Sequence, residues 1–136
     1  MPGDWTDAYY GDLYLDSVAD LLTPALSAAE AEAISTLLEL RPSDRVLDLA
    51  CGQGRHLRAL AARARLTGLE RNAAYLQRAR GAGASLVRGD LRGLPFRDGA
   101  FDAAFSWYAS LFMWDDAANL DALRQKAVWQ QVATAV

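Results

Sequence analysis

The sequence predicts an α/β fold in which helices flank a mostly parallel sheet. Short apolar runs of the kind that form buried strands alternate with segments of helical periodicity. The first of these strands leads directly into a turn with Gly52 and Gly54, and a helix follows. This order brings backbone close to a ligand at the carboxyl edge of a parallel sheet, because glycine has no Cβ to hold the ligand away. We therefore expect a small-ligand site at that edge.

The composition is that of one folded domain. The chain has 136 residues, 52% of them hydrophobic and 23% charged, which is enough for a core but short for a two-domain enzyme. A net charge of -3 gives no electrostatic reason to expect a nucleic acid partner. Cys51 is the only cysteine, and the first ten residues lack the pattern of a signal peptide. No apolar run is long enough to cross a membrane, so we expect a cytoplasmic protein with no membrane partner.

The strand and turn at residues 46–54 read V-L-D-L-A-C-G-Q-G. Asp48 lies near the end of this strand, where a carboxylate needs a polar or cationic partner and would repel a phosphate. Leu57 stands where the dinucleotide fingerprint has its third small residue, so the match to a nicotinamide or flavin site is partial. The whole pattern resembles the first motif of the S-adenosylmethionine-dependent methyltransferases of class I, the Rossmann-like class.

That resemblance implies a Rossmann-like fold, methyl transfer as the activity and S-adenosylmethionine as the cofactor. This ligand has an amino acid end, a ribose and an adenine, and it carries no phosphate. Within the motif, the resemblance makes Asp48, Ala50, Gly52 and Gly54 candidate cofactor-binding residues. The methyl acceptor cannot be identified from the residues, and we favour a small molecule over a nucleic acid.

Glu70 ends the second predicted strand, Leu66–Leu69, and lies 16 residues after Gly54. This is close to the distance at which an acid from the next parallel strand meets the ribose hydroxyls of a nucleoside ligand. A carboxylate can accept both hydrogen bonds of a vicinal diol. We predict that Glu70 and its neighbour Arg71 belong to the cofactor site, with an ordinary surface acid as the alternative.

Residues 89–96, after the third predicted strand, resemble the G-D-x-x-x-L-P-F segment of the same methyltransferases. Carried over, Asp90 would accept a hydrogen bond from the adenine amino group and Leu91 would pack on the base. The alternative is a simple turn. In that case three acids would lie at successive strand ends and repel one another without a ligand to compensate them: Asp48, Glu70 and Asp90.

The fourth predicted strand, residues 101–107, resembles the F-D-x-x-x segment of the family. We expect Asp102 to pair with backbone or an arginine, and Ser106 to line the cofactor pocket at the strand's end. His56 is the only histidine; it could face the substrate, but local packing is the preferred interpretation. One histidine and one cysteine cannot form a recognisable transition-metal site, so we predict no metal and assign no catalytic residue.

We divide the single domain, 1–136, into an N-terminal helical lid at 1–42, a core at 43–125 and an atypical C-terminal helix at 126–136. The lid contains one helix from about Asp12 and a second that begins with a capping box at Ser27 to Glu30. Pro24 separates them. Tyrosines of the lid either touch the ligand or anchor the segment to the core: Tyr9, Tyr10 and Tyr14.

The resemblance covers roughly residues 9–125, so the strands that follow the fourth in a complete family member are expected to be missing. The fourth strand would then be an edge with unpaired backbone groups. We expect the terminal helix, capped near Asp115 or Asp116, or a second copy of the chain in a homodimer, to cover that edge.

Two functions remain open. The first is methyl transfer from S-adenosylmethionine. The second is a truncated module that binds S-adenosylmethionine or S-adenosylhomocysteine with little or no activity. A nucleotide-dependent oxidoreductase is disfavoured by Asp48 and Leu57.

Overall fold

The computed structural model of the chain describes residues 21–90 and 93–107, together with the backbone of 127–135. These residues contain three helices and five strands. In chain order they are α1 (Pro24–Leu37), β1 (Arg45–Leu49), α2 (Arg55–Leu60), β2 (Arg65–Glu70), α3 (Ala73–Arg78), β3 (Ser85–Arg88), β4 (Phe101–Trp107) and β5 (Ala127–Ala135).

The five strands form one parallel sheet in the order β3-β2-β1-β4-β5. β1 lies at the centre, and its apolar side chains are at most 1% exposed because both faces of the sheet are covered. The chain passes from β1 to β2 and β3 on one side and then returns to β4 on the other. Ligands of open parallel sheets bind at such a reversal, outside the carboxyl ends of the strands. The predicted α/β, Rossmann-like fold is confirmed.

Two apolar clusters hold the helices and loops on the sheet. One cluster joins α1 and α2 to β1 and β4 and includes Ile34, Leu57, Leu60, Val46 and Phe105. The other lies on the opposite face of the sheet and includes Leu47, Leu49, Leu69, Phe101 and Ala104. These clusters fix the carboxyl ends of β1, β2 and β4 relative to one another.

The C-terminal segment differs from its prediction. Residues 127–135 form β5, which runs parallel to β4 from the pair Phe101 and Ala127 to the pair Trp107 and Ala135. The helix predicted over 126–136 is therefore wrong, and a fifth strand is present where the strands after the fourth were expected to be missing. The segment contains Val128, Trp129, Val132 and Thr134, which are residue types that favour strands, and the edge of β4 offers unpaired backbone groups as partners. Because β5 pairs with that edge, the structural reason for predicting a dimer disappears.

The helix boundaries also differ from their prediction. α1 begins at Pro24, and Thr23 caps it by accepting a hydrogen bond from the Leu26 amide at 3.1 Å. Proline is favoured in the first turn because its missing N–H would be unpaired there in any case. The capping box predicted at Ser27 is wrong, since Ser27 and Glu30 lie inside the helix with buried side chains. The helix from about Asp12, the three tyrosines and the cap near residue 115 lie outside the described residues.

Asp102 ties the amino ends of β1 and β4 together, as predicted. Its Oδ2 accepts hydrogen bonds from the backbone amide of Arg45 at 2.8 Å and from the Arg45 Nε at 3.1 Å. Its Oδ1 accepts one from the guanidinium at 3.1 Å. These hydrogen bonds lower the pKa of Asp102, so the carboxylate is ionised and structural.

Gly68 permits the closest packing in the sheet. A Cβ at Gly68 would lie 2.7 Å from both Cys51 Sγ and Leu57 Cδ1. The bare backbone of β2 thus lets the turn after β1 and the helix α2 sit directly against the sheet.

Gly68→Ala should therefore destabilise the domain by about 1–3 kcal/mol, since an added methyl group overpacks a filled space. Chemical denaturation followed by circular dichroism measures the effect. Gly93→Ala is the matched control, because a Cβ there would meet no atom of the described part of the chain within 4 Å. Equal stability of the two variants would contradict this packing.

Candidate functional site

The turn after β1 has an unusual backbone. Ala50, Gly52 and Gly54 all have positive φ angles, of 58°, 59° and 85°. Ala50 carries backbone strain, which is typical of a turn held in place by its surroundings at a functional site. Among the described residues, a Cβ at Gly52 would meet nothing within 4 Å, whereas one at Gly54 would lie 3.1 Å from the Cβ of Ala79. Gly52 therefore leaves open space beside the backbone, and Gly54 serves packing against the end of α3.

Glu70 lies at the carboxyl end of β2, directly beside this turn. Its Oε1 accepts a hydrogen bond from the Gly52 amide at 2.9 Å, and its Oε2 accepts one from the Asn72 amide at 2.9 Å. Two backbone donors thus fix the carboxylate in one orientation. Each carboxylate oxygen can accept more than one hydrogen bond, so Glu70 retains acceptor capacity for a ligand.

Asp48 lies nearly at the end of β1 and is only 2% exposed. Its Oδ2 is buried and has no hydrogen-bond partner within the described residues. Burial raises the pKa of Asp48 well above its ordinary value, the nearby Glu70 carboxylate raises it further, and the Arg55 guanidinium opposes the shift. A buried carboxyl oxygen without a partner is costly, and a cationic or hydrogen-bond-donating ligand would relieve that cost.

Asp90 follows β3 at the neighbouring strand end. One oxygen of Asp90 lies 3.6 Å from the Arg71 guanidinium, and both side chains are one-third exposed. The Gly89 amide donates to the carbonyl oxygen of Glu70 at 3.1 Å, so the ends of β2 and β3 are joined. The structure brings Arg71 and Asp90 together beside Glu70, whereas Leu91 lies outside the described residues.

Ser106 lies in β4 and is 1% exposed. Its hydroxyl donates a hydrogen bond to the carbonyl oxygen of Leu49 at 3.3 Å. Ser106 thus joins β4 to the end of β1 just before the turn, and its predicted contact with a cofactor stays a prediction.

A polar cluster that the sequence did not predict borders the site and is here called the Glu30 cluster: Glu30, Arg55, His56 and Trp107. Oε1 of Glu30 accepts a hydrogen bond from Arg55 and lies 3.3 Å from His56 Nε2, while Oε2 accepts one from the Trp107 indole. Burial alone would raise the pKa of Glu30, but its three partners, Arg55 above all, lower it below the ordinary value. One signal was present: Glu30 lies four residues before the buried Ile34, on the same face of α1.

His56 fits the interpretation of local packing. It is 6% exposed, and its ring makes edge contacts with Phe105 and Trp107 at centroid distances of 6.2 and 6.0 Å. Burial, together with the charge of Arg55, lowers the pKa of His56 to about 4. The imidazole is therefore neutral at physiological pH and is held inside the Glu30 cluster.

The residues that the structure describes contain neither a candidate metal site nor a membrane-spanning helix. No group of three or more histidine, cysteine, aspartate or glutamate side chains there could hold a metal ion. No helix in the same part of the chain is both long enough and apolar enough to cross a bilayer.

Comparison with known proteins gives matches over the same region. The model of a family described as methyltransferase domain matches residues 46–128. The 24-methylenesterol C-methyltransferase 2 of Oryza sativa subsp. japonica is 35% identical over 85 residues, which are 55% of this chain and 23% of that protein. The chain thus spans about a quarter of the length of the curated relatives it matches.

Solved structures share the fold. An S-adenosylmethionine-dependent methyltransferase from Mesorhizobium loti has a TM-score of 0.62 and 30% identity, covering 71% of this chain and 47% of that one. A SAM-dependent methyltransferase from Aquifex aeolicus has a TM-score of 0.69 and covers 82% of this chain and 66% of that one. Its 16% identity shows the fold alone.

The family match spans more than half of the chain and contains the glycine turn, Glu70 and Asp90. The resemblance seen in the sequence is confirmed by this match and by the shared fold. The chain belongs to the methyltransferase domain family.

Proposed function

We propose that this domain binds S-adenosylmethionine at the carboxyl edge of its sheet and transfers the methyl group to a small-molecule acceptor. One observation carries the proposal: two carboxyl groups converge on the open glycine turn. Glu70 is fixed there by two backbone amides, and Asp48 has a buried oxygen without a partner among the described residues. The plant relatives are C-methyltransferases, which supports the same reaction, and the similar protein from Mesorhizobium loti is an S-adenosylmethionine-dependent methyltransferase, which supports the same cofactor.

The residues present fit the chemistry of this cofactor. The buried oxygen of Asp48 has no partner among the described residues. S-adenosylmethionine carries an ammonium and a sulfonium, and either positive charge would suit that oxygen. The ribose diol suits the two oxygens of Glu70, and the adenine amino group suits Asp90, with Leu91 beside the base. The turn residues Ala50, Gly52 and Gly54, with Arg71 and Ser106, complete the proposed cofactor site. A phosphate-bearing ligand would instead meet several acids.

The proposed cofactor supplies an electrophilic methyl group on a sulfonium, which a nucleophilic acceptor takes by displacement. The protein's part in such a reaction is to hold the two reactants in line and to exclude water. Glu70 and Asp48 would orient the donor from one side of the turn. Two observations support a small-molecule acceptor. The names of the plant relatives specify a sterol, and the net negative charge of the chain disfavours a nucleic acid.

A second candidate is a module that binds the cofactor without catalysing transfer. It is favoured by the placement of His56, whose side chain is buried and directed at Glu30 and therefore does not face an acceptor. Incubation with S-adenosylmethionine and a panel of small-molecule acceptors, with S-adenosylhomocysteine as the measured product, separates the two candidates. Calorimetry that detects binding of NAD, but of neither S-adenosyl compound, would overturn both.

Glu70→Ala should weaken binding of S-adenosylhomocysteine by about 1–3 kcal/mol, because a charge-assisted contact with two hydroxyls is lost. Isothermal titration calorimetry measures the affinity. Glu32→Ala is the control, since Glu32 is an exposed glutamate that pairs with Arg63 at the surface. Unchanged affinity in Glu70→Ala would remove Glu70 from the site.

Asp48→Asn should stabilise the empty domain at neutral pH by about 1–3 kcal/mol, because a buried acid is costly. It should also weaken binding of S-adenosylmethionine, because the carboxylate attracts the positive charge of that ligand. Folding raises the pKa of Asp48. The free energy of unfolding is therefore highest at acidic pH and falls as pH rises above the ordinary aspartate range. The variant lacks this fall. Thermal unfolding of both proteins at about pH 5 and about pH 8 tests the sign. A variant less stable than the wild type at the higher pH would contradict it.

A further inference from the structure

Arg58 is an exposed residue of α2 that hydrogen-bonds to the backbone of two other elements. Its Nη1 donates a hydrogen bond to the carbonyl oxygen of Gln53 at 2.6 Å, and its Nη2 donates one to the carbonyl oxygen of Arg78 at 2.5 Å. The backbone amide of Arg58 donates to the carbonyl oxygen of Gly54 at 3.0 Å. Arg58 therefore joins two successive carbonyl groups of the glycine turn to Arg78, the last residue of α3.

The glycine turn and α3 also hold Glu70 between them. The Gly52 amide of the turn donates to Glu70 Oε1, and the amide of Asn72, the residue that caps α3, donates to Oε2, each at 2.9 Å. The Asn72 side chain accepts hydrogen bonds from the Ala74 and Tyr75 amides in the first turn of α3. Because each oxygen of Glu70 is bonded to a different element, the orientation of the carboxylate depends on how the turn and α3 sit relative to each other.

Arg58 closes these hydrogen bonds into a ring of contacts. The ring runs from Glu70 through the glycine turn to Arg58, across to Arg78, and back along α3 to Asn72. α3 has only six residues, and a helix this short is held by its surroundings more than by its own hydrogen bonds. The carbonyl groups of its last turn need partners from outside the helix, and Arg58 supplies one.

We propose that Arg58 is a positioning residue for Glu70: by bridging the glycine turn and the end of α3, it holds the carboxylate in the orientation that accepts the ribose hydroxyls. The inference rests on the proposed function, in which Glu70 binds the ribose diol. A vicinal diol needs both carboxylate oxygens at set positions, so a small rotation of Glu70 lowers affinity. Arg58 acts through the backbone, because its guanidinium is directed at two carbonyl oxygens.

The test is a double-mutant cycle of Arg58→Ala and Glu70→Ala, in which calorimetry measures the affinity for S-adenosylhomocysteine. In the wild-type background, Arg58→Ala should weaken binding by about three- to tenfold, the effect of hydrogen bonds lost at an exposed position. In the Glu70→Ala background it should cause no further weakening, because the carboxylate through which Arg58 acts is absent. A residue with a merely structural role would weaken binding equally in both backgrounds.

Two further variants separate the bridge from the charge of Arg58. Lysine keeps the positive charge but lacks the planar fork that reaches two carbonyl groups, so Arg58→Lys should weaken binding nearly as much as Arg58→Ala. Arg63→Ala is the matched control, since Arg63 pairs with the exposed Glu32 at 2.6 Å and should not affect binding. In the empty domain, hydrogen exchange at the Gly52 and Asn72 amides should be faster in Arg58→Ala and unchanged in Arg63→Ala.

The outcomes separate the inference from the function on which it rests. The inference, but not the proposed function, is overturned by unchanged affinity or unchanged exchange in Arg58→Ala, by equal weakening in the two backgrounds, or by full affinity in Arg58→Lys. A wild-type chain that binds neither S-adenosyl compound would overturn the proposed function, and the inference with it. If Arg58→Ala fails to fold, Arg58→Lys in both backgrounds decides: weakening confined to the background that retains Glu70 supports the inference, and any other result overturns it.

Discussion

The buried carboxyl group of Asp48 is the constraint on which the rest of the site depends. It lies in the central strand of the sheet with one oxygen unpartnered among the described residues, and the neighbouring Glu70 makes ionisation harder still. A sheet tolerates such a residue only where the surrounding packing holds it in place, and the strand of Asp48 lies in fully buried apolar surroundings. The stability lost at Asp48 is recoverable when a cation binds.

The other features of the site follow from that constraint. The described residues leave space at Gly52 through which a ligand would reach the strand end, and the amides of Gly52 and Asn72 hold the Glu70 carboxylate in one orientation. The charge of Arg55 partly offsets the burial of Asp48, but the buried Oδ2 still has no hydrogen-bond partner among the described residues. The acidic groups of such a site are in place before the ligand binds, and one of them stays unpartnered until it does. This electrostatic preorganisation is expected of a domain that binds a positively charged cofactor.

The sequence was informative where structure is decided locally. Alternating apolar runs and the glycine turn predicted the sheet, and the spacing between Gly54 and Glu70 placed an acid at the next strand end. The sequence was uninformative where contacts between residues far apart in the chain decide the structure. The segment that forms β5 becomes a strand by pairing with β4, which lies far from it in the chain. Glu30 matched a capping pattern, but its partners Arg55 and Trp107 lie 25 and 77 residues away.

The most direct test of this account is the pKa of Asp48 itself, read from its side-chain carboxyl carbon by nuclear magnetic resonance, with Asp48→Asn used to assign the signal. The account predicts a pKa above the ordinary aspartate value in the empty domain and a clear fall when S-adenosylmethionine binds, because a nearby cation favours the ionised form. The neutral S-adenosylhomocysteine should produce a smaller fall. An ordinary pKa in the empty domain, unchanged by either ligand, would contradict the account.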